Sequence, residues 1–298
     1  METPNKKKIS LGLREEVKDP RDLKLGAFFK VAPLTDVPLI DFMVGQNIRM
    51  KNQKDSDLCT TFSGSTVNEK QEGVELSPEY LFMKGKQMAG NWQAWGLDLR
   101  TICRVLTKVG AIEQQESPFT LEKNGRDFVA NPANWTTHIL KLDELAKKHK
   151  KEAYFNVYDS KYDKFDSIRS ALWTFKDEWR TIYTGCPWRS EWTYARDGVV
   201  PKEDFEKDYG HAFEICGQKM IAGVPYLVAQ LSNGLDVGVS GYLYFPREIV
   251  NKEFYTAYMF KDLASITTPA IQGLLKVQAQ QQLPWFRRLI LLFKDLLK

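Results

Sequence analysis

The chain changes character once along its length. From residue 38 to 152 its apolar residues recur at helical spacing; from 153 to 260 they gather into short aromatic and β-branched runs. Cys59 to Glu69 predicts one helix. Ser77-Pro78-Glu79 opens a second, with serine as N-cap and proline in the first turn. A third is expected over Asp98 to Val109, with Leu99, Ile102, Cys103 and Leu106 on one face and Gly110 as its stop. Leu140 to Lys151 suits a fourth. In the second half, residues 154–158, 180–183, 212–216, 224–230 and 241–245 read as strands, and Asp166 to Phe175 as a short helix. A helical half followed by a β half predicts an α+β fold, with the halves meeting at a cleft where ligands bind.

The ends differ from this body. Residues 1–37 are polar and broken by Pro4, Pro20 and Pro33, and suit an arm lying on the surface. A C-terminal extension over 261–298 carries an amphipathic helix at 284–298. Trp285, Phe286, Leu289, Ile290, Phe293, Leu296 and Leu297 form its broad apolar stripe. Such a stripe packs on its own chain, docks a protein partner or mediates self-association; a membrane surface is the least favoured of these.

Composition narrows the function. With 42 basic against 38 acidic residues, interleaved, a net charge of +4 gives no case for nucleic acid. The first residues lack the apolar stretch of a secretory signal, so the cytoplasm is expected. Cysteines stand at 59, 103, 186 and 216 with no CxxC pair, and there are only three histidines. This spacing suits neither a zinc site nor another metal or cofactor, and suits free thiols in a reducing compartment.

One stretch asks for chemistry: NQKDSDLCTTFSGSTVNE, residues 52–69, sets a thiol at the mouth of a helix with Gln53 six residues upstream. Unpaired N–H groups at a helix start favour a thiolate. A histidine beside it would complete an ion pair and deliver a proton to a leaving amine. Gln53 and the backbone N–H of Cys59 could bind an oxyanion. His138, in a loop, and His149, in a lysine run, read as exposed and inert. His211 opens a strand of the β half, in Tyr209-Gly210-His211-Ala212, and is the candidate partner.

These residues resemble the papain-like cysteine peptidases. That family places a glutamine, five residues, then C-W-A-F-S; here Gln53 precedes Cys59-Thr60-Thr61-Phe62-Ser63. Leu76-Ser77-Pro78-Glu79-Tyr80-Leu81, the stretch from Gly96 to Gly110-Ala111, the helix at Ile168 to Leu172, Gly198-Val199, Gly210-His211-Ala212 and the glycines 234, 238 and 241 follow the family's blocks in order over residues 38–246. The resemblance implies a two-lobed fold, with a helical N-terminal lobe and an antiparallel, barrel-like C-terminal lobe. It implies a peptide or protein substrate, with Cys59, His211 and Gln53 catalytic. It is similar to short forms from bacteria and their viruses, which adds the virion as a location.

Four departures bear on activity. Leu231 stands where the family has the asparagine that orients the histidine, leaving Asn233 or Gln230 as substitutes. Asn233 replaces the tryptophan that covers that bond, and Thr60 the one after the nucleophile. Asp55-Ser56-Asp57-Leu58 excludes the family's first disulfide, and Asp55 and Asp57 bring negative charge near the thiol. An unreplaced orienter would cost roughly 10²–10⁴ in rate. Three readings follow: a cysteine endopeptidase, an impaired relative serving as a binding or virion assembly component, and a related amidase or transglutaminase.

Overall fold

A computed structural model of the chain describes residues 11–261 except 17, 18, 21, 196 and 204. The helix expected over 284–298 lies outside the described residues. The fold is α+β, with helices on one side and an antiparallel sheet on the other.

The helix Cys59–Glu72 runs between the two and is buried from Cys59 to Lys70. Its sequence explains this placement. Thr60, Thr61, Ser63, Gly64, Ser65 and Thr66 are small, so neighbours approach from all sides; a Cβ on Gly64 would lie 2.7 Å from Ile102 Cγ2. Its longer polar residues are paired inside. Lys51 Nζ binds Glu69 and donates to Leu76 O at 2.9 Å, and Lys70 Nζ lies 3.9 Å from Glu214. Helices Pro78–Ala89 and Leu99–Lys108 pack beside it, started by Ser77 Oγ accepting from Tyr80 N and Asp98 Oδ1 from Thr101 N. Leu99, Ile102, Cys103, Val105 and Leu106 turn inward.

The sheet has seven strands: β1 (Phe42–Met43), β2 (Ala153–Asn156), β3 (Ile182–Pro187), β4 (Gly210–Ile221), β5 (Val224–Gln230), β6 (Tyr242–Phe245) and β7 (Tyr258–Lys261). Their order is β2-β7-β3-β4-β5-β6, with β1 added to β4. Among the elements without an expectation are β7 and the helix Arg247–Glu253. Both are shorter than the windows in which periodicity accumulates. β3 runs later than expected, because pairing with β4 selects Gly185 and Cys186 opposite Ala212 and His211.

Two expectations are corrected. His149 is not exposed. It is 5% accessible, with Nδ1 bonded to Glu72 at the end of the central helix and Nε2 3.4 Å from Glu113. A lysine-rich sequence conceals this, because Lys147 and Lys148 do point outward to Glu144 and Glu113. Nor does the arm lie on the outer surface at Leu11 to Leu13. Leu13 bridges Leu97 of the helical half and Gly210 of the β half, and is 3% exposed.

Candidate active site

Cys59 is the first residue of its helix. The residue before it, Leu58, offers no side-chain acceptor, so no side chain neutralises the positive end of the helix. The sulfur is fully buried, and the nearby backbone amides of Ala212, Gly12 and Thr60 act to lower its pKa. Ser63 Oγ donates to Ala212 O at 2.8 Å, and Tyr183 Oη to Thr60 O at 2.9 Å. These bonds dock the start of the helix that carries Cys59 against the start of β4, the strand that carries His211.

His211 Nε2 lies 2.9 Å from Asn233 Oδ1. Two of the departures from the family pattern lie nearest this bond. The Leu231 side chain joins the core, while its N–H donates to Gly241 O at 3.0 Å. The chain then bends so that Asn233 pairs with Asn52, and the side chain two positions on reaches the imidazole. Gln230 does not reach it; its Oε1 accepts from Tyr242 Oη at 3.2 Å. The aromatic cover comes from elsewhere: Trp188, just after β3, meets the His211 ring edge-on at 4.8 Å, held by Trp188 Nε1 donating to Thr193 Oγ1 at 3.2 Å. Nothing in the sequence singles out Trp188 among eight tryptophans.

Gln53 is buried beside the nucleophile turn. Its Nε2 donates to Ser56 O at 2.9 Å, and its Oε1 accepts from Ser232 Oγ at 2.6 Å. Its own N–H donates to Ser232 O at 2.7 Å. It therefore ties the turn before Cys59 to the turn that carries Asn233.

The arm closes the site. Leu97 N donates to Gly12 O at 2.9 Å, Arg14 N to Leu97 O at 3.0 Å, and Leu13 N to Gly210 O at 2.9 Å. An extended peptide is thus held by main-chain bonds from both halves. Only glycine fits beside the nucleophile: a Cβ on Gly12 would lie 2.1 Å from Asp57 O, and one on Gly96 1.9 Å from Gly12 O. The Leu13 side chain fills a hollow floored by Gly185, where a Cβ would meet Leu13 Cδ2 at 2.4 Å. Farther along, Arg100 Nη2 grips Glu16 at 2.8 Å and Asp22 at 2.7 Å.

Burial shifts the protonation of both Cys59 and His211. Desolvation pushes the Cys59 thiol up to about 12, with the Asp57 charge adding to it, against the opposing help of the three amides. Desolvation pulls His211 down to about 4, against the Asn233 bond. Thiol and imidazole are therefore both neutral at pH 7, and His211 Nδ1 has no hydrogen-bond partner. The folded chain holds this imidazole neutral while the unfolded chain protonates near 6.5, so stability is lost as pH falls from about 6.5 toward 4, by about 1.4 kcal/mol per pH unit. Urea unfolding at pH 7 and pH 5 should show His211→Gln losing less stability on acidification than the parent, by about 1–2 kcal/mol. Equal losses in the two chains would refute this.

The fold is that of the papain-like cysteine proteases. Xylellain, a cysteine protease from Xylella fastidiosa, superposes with a TM-score of 0.70 at 16% identity, covering 88% of this chain and 99% of its own. The procathepsin B S9 of Trypanosoma congolense gives 0.59 at 14% identity over 83% of this chain and 85% of its own. The bromelain protease of Ananas comosus, solved with the E64 inhibitor, gives 0.53 at 15% over 74% and 99%. No family model and no curated protein matches the sequence. Among the described residues no group of three metal-ligating side chains converges, and no helix is long and apolar enough to cross a membrane.

Proposed function

We propose that the chain is a cysteine peptidase whose N-terminal arm holds it in a resting state. Cys59 is the nucleophile and His211 the acid and base. Asn233 is the residue that orients the imidazole, and the Cys59 amide with Gln53 forms the oxyanion site. The observation that carries this reading is the extended segment Gly12 to Arg14, clasped by Leu97 and Gly210 and packed on Asp57 in the turn before Cys59. A cleft that grips a peptide backbone from both sides suits a peptide better than a small amide. The impaired-scaffold reading drew its support from Leu231, Thr60, Asn233 and the amphipathic tail; against it stand the Asn233 contact with His211 Nε2 at 2.9 Å and the Trp188 ring beside the imidazole.

In the reaction, departure of the arm rehydrates the cleft and removes the Gly12 amide from the sulfur. The thiol proton passes to His211 Nδ1. The thiolate attacks the substrate carbonyl carbon, and the imidazolium returns the proton to the leaving amine. Water, deprotonated by the same ring, then releases the acyl group. The Asn233 bond keeps the ring turned so that Nδ1 faces the sulfur throughout.

Hydrolysis of a fluorogenic peptide by the full-length chain tests the reading, with the arm unseated by Leu13→Asp. Asn233→Ala in that background should lower kcat about 10²-fold with little change in KM, because only the ring's aim is lost. A chain with no thiol-dependent turnover would reject the reading. Unchanged kcat would reject the role of Asn233.

A further inference from the structure

Asp57 stands two residues before the nucleophile and is fully buried. An isolated carboxylate there would oppose thiolate formation and would be costly to bury. It is not isolated. Arg126 binds it two-pronged, Nε to Oδ1 at 2.9 Å and Nη2 to Oδ2 at 2.9 Å. The guanidinium lies between the rings of Phe82 and Trp95, 5.7 and 5.5 Å from their centroids.

The same cluster holds the rim of the cleft. Asp57 Oδ2 accepts the Gly96 N–H, Arg126 Nη2 donates to Ala94 O at 2.8 Å, and Lys86 Nζ donates to Gly96 O at 2.8 Å and to Ala94 O. Residues 94–96 are thereby fixed from behind. The next residue, Leu97, offers its N–H and C=O to the peptide in the cleft.

We propose that Arg126 is a positioning residue of this site: it cancels the Asp57 charge behind the Cys59 sulfur and locks the nucleophile turn to the rim that seats the peptide. The rim half of this rests on the peptidase reading; the charge half is read at the thiol alone. Three sets of charged or titratable groups surround the pair. Around Asp57 are Arg126 and Lys86; beside Arg126 is Asp127; and Arg14 of the arm faces Lys86. Tyr183 from β3 faces Cys59.

The test uses the full-length chain carrying Leu13→Asp, so that reagent reaches the sulfur. Iodoacetamide labelling of Cys59 is followed by mass spectrometry from pH 5 to 10, with KM for a fluorogenic peptide measured alongside. Arg126→Gln leaves Asp57 unneutralised, and labelling at pH 7 should fall about tenfold. Asp57→Asn leaves Arg126 unneutralised, and the labelling midpoint should move down, so that labelling at pH 5 rises several-fold. The double variant should return to within about twofold of the parent while KM stays several-fold raised, since Ala94 O has lost its Arg126 donor. Opposite signs for the single variants distinguish charge from damage, because a loosened turn would slow labelling in both. If Arg126→Gln fails to fold, the rise in Asp57→Asn and its reversal in the double variant carry the comparison. Labelling slowed in both singles, or unchanged in both, overturns the proposal. Opposite shifts in labelling with no peptide turnover in any chain would uphold the charge role and reject the peptidase reading.

Discussion

Replacing Cys59 by alanine should abolish peptide turnover, with kcat/KM falling by about 10⁴–10⁶. The size follows from what the thiol does. It alone forms the acyl intermediate, and neither the amides around it nor His211 can supply a second nucleophile in the same place. The buried thiols of Cys103, Cys186 and Cys216 cannot stand in, because burial raises each of them above the ordinary thiol range and none stands at a helix start. Cys59→Ala should retain the parent's thermal stability to within about 1–2 kcal/mol, since only one small buried sulfur is removed. Peptide hydrolysis by the purified variant, run beside the parent in the Leu13→Asp background, checks this. Turnover within tenfold of the parent would mean that Cys59 is not the nucleophile.

The second large effect runs the other way. Leu13→Asp in the full-length chain should raise turnover at least about tenfold. Burying a leucine contributes about 1.5–3 kcal/mol, and each 1.4 kcal/mol is a factor of ten in the ratio of seated to open arm. An aspartate against Gly185 and Gly210 adds an unpaired carboxylate to a dry hollow, so the shift should exceed that from apolar loss alone. Gly12→Val should act in the same direction through backbone contact, as its Cβ would meet Asp57 O at 2.1 Å. Both act at the seated state. Their effect should therefore appear as faster turnover and faster thiol labelling, with thermal unfolding of the body unchanged. Turnover equal to the parent in both variants would show that the arm does not occlude the site.

The arm was also the least legible part of the sequence. Its seat depends on main-chain bonds from Gly12, Leu13 and Arg14 to Leu97 and Gly210, more than 80 and almost 200 residues away. Backbone pairing of that range leaves no side-chain period. Cys59 and His211 were readable because each sits at the start of a regular element, where hydrophobic pattern and turn residues both speak. Asn233 was readable only as one of two candidates. The choice between it and Gln230 was made by a bend after β5, fixed by Leu231 N to Gly241 O and by the pairing of Asn233 with Asn52. Asp57 read as a hindrance to the thiolate because its cation, Arg126, comes from a short helix 69 positions on. In each case the local chemistry was visible and the partner was not, because contacts between distant segments decide the partner.

The pairing of Cys59 with His211 is best tested by the pH at which the sulfur becomes reactive. Iodoacetamide labelling of Cys59 in the Leu13→Asp chain should reach half its maximal rate below about pH 7, since an adjacent imidazolium favours the thiolate. Substituting His211 by alanine should move that midpoint above about pH 8, toward an ordinary thiol. The same midpoint in both chains would mean that the ring does not govern the sulfur, and the account of this protein as a cysteine peptidase would be wrong.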